Sequence, residues 1–164
     1  MNYAGIIKND ISAGEGVCVS FFVQGCPHHC LGCHNPETWD FKGGKEFTID
    51  TLYEILDAID ANGVRRNFCL LGGEPLCTEN AFLSYFVVSS IRNKFPNIKI
   101  YIWSGGVFED LVRSANPFIG KTLKLADYLI DGPFIKSQRD ITLKMRGSRN
   151  QRIIDLKNQM VIEE

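Results

Sequence analysis

No stretch of this 164-residue chain approaches the roughly 18 consecutive apolar residues of a membrane-spanning helix. The N-terminus also lacks the charged-then-apolar layout of a secretory signal. A cytoplasmic location, with no membrane partner, is the expectation that follows. No repeat, linker or low-complexity tract divides the sequence, and Gly43-Gly44 marks a loop, so residues 1–164 are read as a single domain. The one basic stretch lacks interleaved aromatics, and no nucleic-acid-binding module is recognisable, which argues against a nucleic-acid partner. A second close group of cysteines is missing too. Cys18, Cys69 and Cys77 are scattered through or beside apolar segments and are read as core residues. In a reducing compartment the six cysteines are thiols or metal ligands rather than disulfides.

What is present is the composition of an ordinary globular protein, 45% hydrophobic and 23% charged, long enough to bury a sizeable core. The formal net charge of −1 hides an asymmetry. From Lys136 to Lys157, seven basic residues stand against the two acids Asp140 and Asp155. Such a stretch is most often a solvated face; binding of an anionic ligand or a protein partner is the second reading.

The run Gly-Cys-Pro-His-His-Cys-Leu-Gly-Cys-His-Asn places Cys26, Cys30 and Cys33 within eight residues, just after an apolar strand. The spacing would put all three on one face of a helix as inert core residues. Pro27 and Gly32 disfavour a regular helix there. Thiolates are the usual ligands of iron–sulfur clusters, which normally take four cysteines. With three, one iron of a four-iron cluster is left open, and an open position separates a reactive site from a structural one. The structural alternative is zinc, with His28, His29 or His34 as fourth ligand. His28 and His29 are otherwise read as exposed loop residues, and Trp39 as a packing residue.

Periodicity predicts strands at 17–23, 68–71, 98–103, 128–130 and 151–156. Helices are predicted at 49–61, capped by Thr48, at 78–92 and at about 107–114. Strands alternating with helices argue for an α/β fold with a parallel sheet. Cys26, Gly72-Gly73-Glu74-Pro75, Ser104-Gly105-Gly106 and Asp131-Gly132-Pro133 each follow a predicted strand. Loops at the carboxyl edge of parallel strands converge on one crevice, so the four point to one site. The glycines let a ligand approach the backbone, and backbone groups with the Glu74 carboxylate are suited to an ammonium group. The alternative is a plain strand-to-helix turn, with Pro75 ending the strand and Thr78 capping the helix.

The cysteine triplet followed by Gly-Gly-Glu-Pro resembles the radical S-adenosylmethionine superfamily. Five segments narrow the likeness: 25–39 with its Cys-His-Asn-Pro-Glu-Thr-Trp, Leu-Leu-Gly-Gly-Glu-Pro-Leu at 70–76, Trp-Ser-Gly at 103–105, Asp-Gly-Pro-Phe at 131–134 and Arg-Gly-Ser-x-Asn-Gln-Arg at 146–152. They resemble the activating proteins of anaerobic ribonucleoside-triphosphate reductase and span almost the whole chain. The resemblance implies an open, partial β/α barrel with a mostly parallel sheet, a form that also suits the short length. It implies one [4Fe-4S] cluster on Cys26, Cys30 and Cys33, whose free iron chelates the amino and carboxylate groups of S-adenosylmethionine. One electron, from a low-potential donor such as flavodoxin or ferredoxin, then gives methionine and a 5′-deoxyadenosyl radical. That radical takes hydrogen from a glycine of the partner reductase and leaves a glycyl radical. Gly73 and Glu74 match the ammonium-binding motif. Gly32, Cys33 and His34 are implied as nucleoside contacts, and Ser104 and Asp131 as contacts on the carboxylate or ribose side. Arg146 would neutralise the carboxylate or, with Arg149 and Arg152, dock the partner. No catalytic side chain beyond the cofactor ligands is implied. The competing readings are an activase of another glycyl-radical enzyme such as pyruvate formate-lyase, a small-molecule enzyme of the same superfamily, and a zinc-stabilised, non-catalytic binding module.

Overall fold

The computed structural model describes residues 1–162. Its centre is a set of parallel strands, β2 (Cys18–Val23), β4 (Asn67–Gly72), β5 (Ile100–Trp103) and β6 (Tyr128–Asp131). Outside β2 lie β1 (Asn2–Asp10) and β3 (Lys45–Glu46); outside β6 lie β7 (Arg152–Asp155) and β8 (Met160–Val161). These flanking strands pair antiparallel. The order β3-β1-β2-β4-β5-β6-β7-β8 leaves two free edges, so the sheet is mixed and open.

The parallel sheet read from the alternation of strands and helices is therefore confined to the middle. Parallel neighbours need a crossover, usually a helix. Helix α1 (Ile49–Ile59) precedes β4, α2 (Ala81–Lys94) precedes β5, and α3 (Phe108–Leu111) with α4 (Pro117–Leu125) precedes β6. No helix longer than one short turn separates β6 from β7, and the chain returns antiparallel.

Local sequence explains the helix ends. Thr48 caps α1 through a reciprocal pair with Thr51, the Thr48 N–H donating to the Thr51 hydroxyl at 3.1 Å. Asn62 and Gly63 turn the chain away with positive φ. The predicted 78–92 helix starts three residues late, at Ala81, with Asn80 at its N-cap and the Asn80 carbonyl accepting from the Ser84 N–H at 3.0 Å. The predicted 107–114 helix shortens to one turn. Sequence reasoning missed α4, although Asn116 accepts from the Phe118 N–H at 3.0 Å and Pro117 holds the first helical position.

Alternation along the strands splits the side chains between two faces. Phe21, Phe68, Leu70, Ile100, Ile102 and Leu129 pack with α1, α2 and α4 in one buried apolar cluster. The other face carries a smaller cluster of Cys18, Cys69, Tyr101, Ile130 and Ile153, covered by loop residues such as Ala13 and Met145. Cys18 and Cys69 are core residues, as expected, while Cys77 is half-buried. Among the described residues no helix is long and apolar enough to cross a membrane.

Candidate functional site

Val23 of β2 stands opposite Gly72 of β4, and Trp103 of β5 opposite Ile130 of β6, so the loops that follow leave the sheet at one edge. The cysteine loop is pinned at both ends. The Gly25 and Cys26 N–H groups donate to the carbonyls of Thr38 and Trp39 at 2.6 and 3.2 Å. The next loop is tied to it backbone to backbone. Gly73 N–H donates to Val23 O at 2.9 Å, and Glu74 N–H to Gly25 O at 2.8 Å. A Cβ on Gly73 would sit 2.3 Å from the Gly25 carbonyl oxygen. Gly73 is thus required by the contact between loops; the sequence alone suggested the approach of a ligand. The buried amide of Asn80 locks the junction, donating to the carbonyls of Gln24, Gly25 and Glu74 at 3.0–3.2 Å. Asn80 was not foreseen, because it fell inside the helix predicted from residue 78.

Three thiols, none in a disulfide, line one pocket at this edge: buried Cys26 and half-buried Cys30 and Cys33. Burial pushes the Cys26 thiol up, against the opposing effect of the His28 and His29 backbone N–H groups. Cys33 Sγ accepts from the Asn35 N–H at 3.4 Å, the kind of contact that tunes a cluster sulfur. Among the described residues, no three His, Cys, Asp or Glu side chains converge as ligands of one ion would. The pocket wall also holds the indole of Trp39, whose buried Nε1–H has no hydrogen-bond partner. Three unpaired thiols and an orphaned donor fit an iron–sulfur cluster with an acceptor-bearing ligand beside it.

Opposite the thiols lies Glu74, with 3% of its side chain exposed. Its Oε1 accepts from Leu76 N–H at 3.1 Å and Ser104 Oγ–H at 2.6 Å. Its Oε2 accepts from Gly105 N–H at 2.7 Å and lies 3.2 Å from His28 Nε2. The Glu74 bond holds the His28 pKa above its ordinary value, despite burial that acts the other way. His28, expected as an exposed loop residue, therefore reaches into the site. Trp39, read as packing alone, lines the pocket while stacking on His29 at 4.5 Å between ring centroids.

The structure gathers Cys26, Cys30, Cys33, Gly73, Glu74 and Ser104 around this pocket, with Trp103 and Gly132 beside them. Gly32, His34 and Asp131 are not part of its wall. Gly32, with φ of +79°, packs against the Lys136 stem, and the His34 ring lies 5.5 Å from that of Phe134. Asp131 points to the other side of the sheet, because Ile130 before it takes the loop-covered face. Its buried carboxylate accepts from Phe108 N–H at 2.8 Å and Arg152 Nε at 3.1 Å. Arg152 also grips Glu109 with two bonds of 3.0 and 2.7 Å, pulling that carboxyl down to about 2. Arg152 is thus an anchor of β7, not a free cation.

Residues 12–154 match the family of 4Fe-4S single cluster domains. Over 153 residues the chain is 35% identical to the anaerobic ribonucleoside-triphosphate reductase-activating protein of Enterobacteria phage T4, covering 93% of each chain. It is 34% identical over 152 residues to the protein of that name from Vibrio cholerae, covering 92% of this chain and 96% of the relative. The Escherichia coli K12 protein shares 33% over 152 residues, with the same coverage. The chain belongs to this family of activating proteins. Within the family match fall the three pocket thiols, Glu74 and its partners Ser104 and Gly105. The 4Fe-4S description of the matched domain agrees with the donor set.

Proposed function

We propose that this chain is the enzyme that activates anaerobic ribonucleoside-triphosphate reductase, using one [4Fe-4S] cluster on Cys26, Cys30 and Cys33 together with S-adenosylmethionine. The observation that carries the reading is the Glu74 carboxylate, fixed by Ser104 and Gly105 across the same pocket as three unpaired thiols. When bound, the cluster supplies the electron that splits S-adenosylmethionine into methionine and a 5′-deoxyadenosyl radical, which takes a hydrogen atom from a glycine of the reductase. The protein's own part is to hold the reactants in line and keep water from the radical. Glu74 receives the ammonium of the methionine end. Ser104, already bonded to Glu74, orients that carboxylate. Gly32, Cys33 and His34 border the nucleoside from the rim, and Phe134 faces them. Asp131 acts at a distance, holding the 132–151 segment through Arg152.

The reading includes one domain over residues 1–164, an open partial barrel whose inner face is the loop-covered side of the sheet, a cytoplasmic location, and a flavodoxin or ferredoxin as electron source. Exposed Lys136, Arg139 and Arg149 lie on the segment that borders the cysteine loop and form its docking face for the reductase. The test is an anaerobic mixture of reduced, cluster-loaded protein, S-adenosylmethionine and purified reductase, read by electron paramagnetic resonance. A glycyl-radical doublet in the reductase is the expected result. A signal only with another glycyl-radical enzyme, such as pyruvate formate-lyase, would reassign the partner. Purified protein carrying zinc without iron or sulfide would remove the enzymatic reading.

A further inference from the structure

Glu74 has no vacancy. A carboxylate offers about four lone-pair directions, and here four donors take them: Leu76 N–H, Ser104 Oγ–H, Gly105 N–H and the His28 imidazole. An ammonium group can reach this carboxylate only if one donor leaves. Two of the four are backbone N–H groups, one in the loop of Glu74 itself and one in the loop after β5, and Ser104 is buried. His28 is different. It is a side chain on the cysteine loop, 32% exposed, and its bond at 3.2 Å is the longest of the four.

We infer that His28 is a displaceable occupant of the Glu74 carboxylate, filling it in the unliganded protein and giving way to the ammonium group of the incoming ligand. This rests on the reading of Glu74 as the ammonium-binding carboxylate. Two features support it independently of that reading. First, the imidazole has a built seat: a Cβ on Gly105 would come within 2.6 Å of the ring, so the absence of a side chain there lets His28 settle over the strand end. Second, the ring has somewhere to go. A neighbouring cavity shares only His28 and Glu74 with the thiol-lined pocket and continues past Pro27, Cys77, Thr78 and Asp110. The His28–Glu74 contact is the partition between the two spaces. It keeps a buried carboxylate satisfied when no ligand is present, where an unpaired one would be costly. Its loss is then an inherent cost of binding, so His28 lowers the affinity for ammonium-bearing ligands and leaves other ligands unaffected.

The test is anaerobic equilibrium dialysis of radiolabelled S-adenosylmethionine against cluster-loaded wild-type and His28→Ala protein, matched for iron and sulfide. His28→Ala should bind about three- to tenfold tighter, the fold-change expected from removing one competing hydrogen bond of ordinary strength. 5′-Methylthioadenosine, which has no ammonium group, should bind both proteins alike. If His28→Ala fails to hold its cluster, His28→Asn, whose shorter side chain falls short of Glu74, is held to the same expectation. Unchanged or weaker S-adenosylmethionine binding in these variants would overturn the inference, as would an equal gain for the ligand without the ammonium. No S-adenosylmethionine binding by the wild type would remove the proposed function itself, and this inference with it.

Discussion

The two faces of the sheet are built from the same strands and do opposite work. On the helix-covered face, Phe21, Phe68, Leu70, Ile100 and Ile102 are wholly buried against helices. On the loop-covered face the strands present Cys18, Cys69 and Tyr101, and at the carboxyl edge they release the loops that carry the thiols and Glu74. Hydrophobic burial, at about 25 cal/mol per Å² of apolar surface, is concentrated on the first face. The polar groups of the site are held on the second by hydrogen bonds to fixed partners. Stability and chemistry are thus separated across one layer of backbone. A site side chain can be changed without emptying the core, and a core side chain can be lost without removing a ligand.

This separation can be broken most sharply at the thiols. Cys26→Ala, Cys30→Ala or Cys33→Ala should each abolish cluster assembly, measured as iron and sulfide per chain, with the far-ultraviolet circular dichroism of the wild type retained. Normal cluster content in any one of them would place the ligands elsewhere. On the opposite face, Phe68→Ala should cost about 3–5 kcal/mol in denaturant unfolding, while the protein that remains folded still takes up iron.

A smaller effect is expected at Asp127, beneath the helix face. Burial alone would raise its pKa, but the Ile100 N–H, Arg92 and Lys157 outweigh this and hold it below the ordinary 3.8. A lowered folded pKa means the unfolded chain binds the proton more readily. The contribution is therefore complete above the unfolded value and is lost as pH falls through the folded one. Asp127→Asn should flatten the loss of stability below about pH 4 and leave metal content unchanged. An unaltered acid limb in urea titrations would show that other carboxylates govern it. The smallest change belongs to Trp39→Phe. Because the indole N–H has no partner and a phenyl ring can keep the stack on His29, unliganded stability should stay within about 1 kcal/mol of wild type. A larger loss in thermal unfolding would mean that the ring itself braces the cysteine loop.

Most of the parallel core was legible in the sequence. The run 17–23, the helical spacing of Leu52, Ile55, Leu56 and Ile59, and the apolar triplet before Asp131 are patterns with short periods. The loops that build the site were legible as well, because glycine, proline and cysteine at strand ends are chemically conspicuous. Strand β1 was not foreseen: its middle residues are half-buried or exposed, and its pairing partner lies on another strand. Helix α4 was hidden by a modest apolar pattern, although Asn116-Pro117 announced it. Asn80 was passed over and His28 misread for one reason: a polar residue shows its partner only when the chain is folded. Asn80 reaches Gln24 across 56 positions of sequence, and His28 reaches Glu74 across 46.

By itself the sequence determined which atoms are available for chemistry: three thiols at fixed spacing, a carboxylate after two glycines, and no fourth cysteine beside them. Spacing along a chain is a covalent fact and needs no fold. The tertiary structure decided which of those atoms share a space. Asp131 closes β6 and Ser104 follows β5, yet Ser104 reaches Glu74 while Asp131 is held by the Phe108 N–H and Arg152. Glu74, suited on paper to an incoming ammonium, is already saturated, because loops distant in sequence bring three donors to it beside the nearby Leu76 N–H. Direction and occupancy depend on register and packing, and those exist only once the sheet has formed.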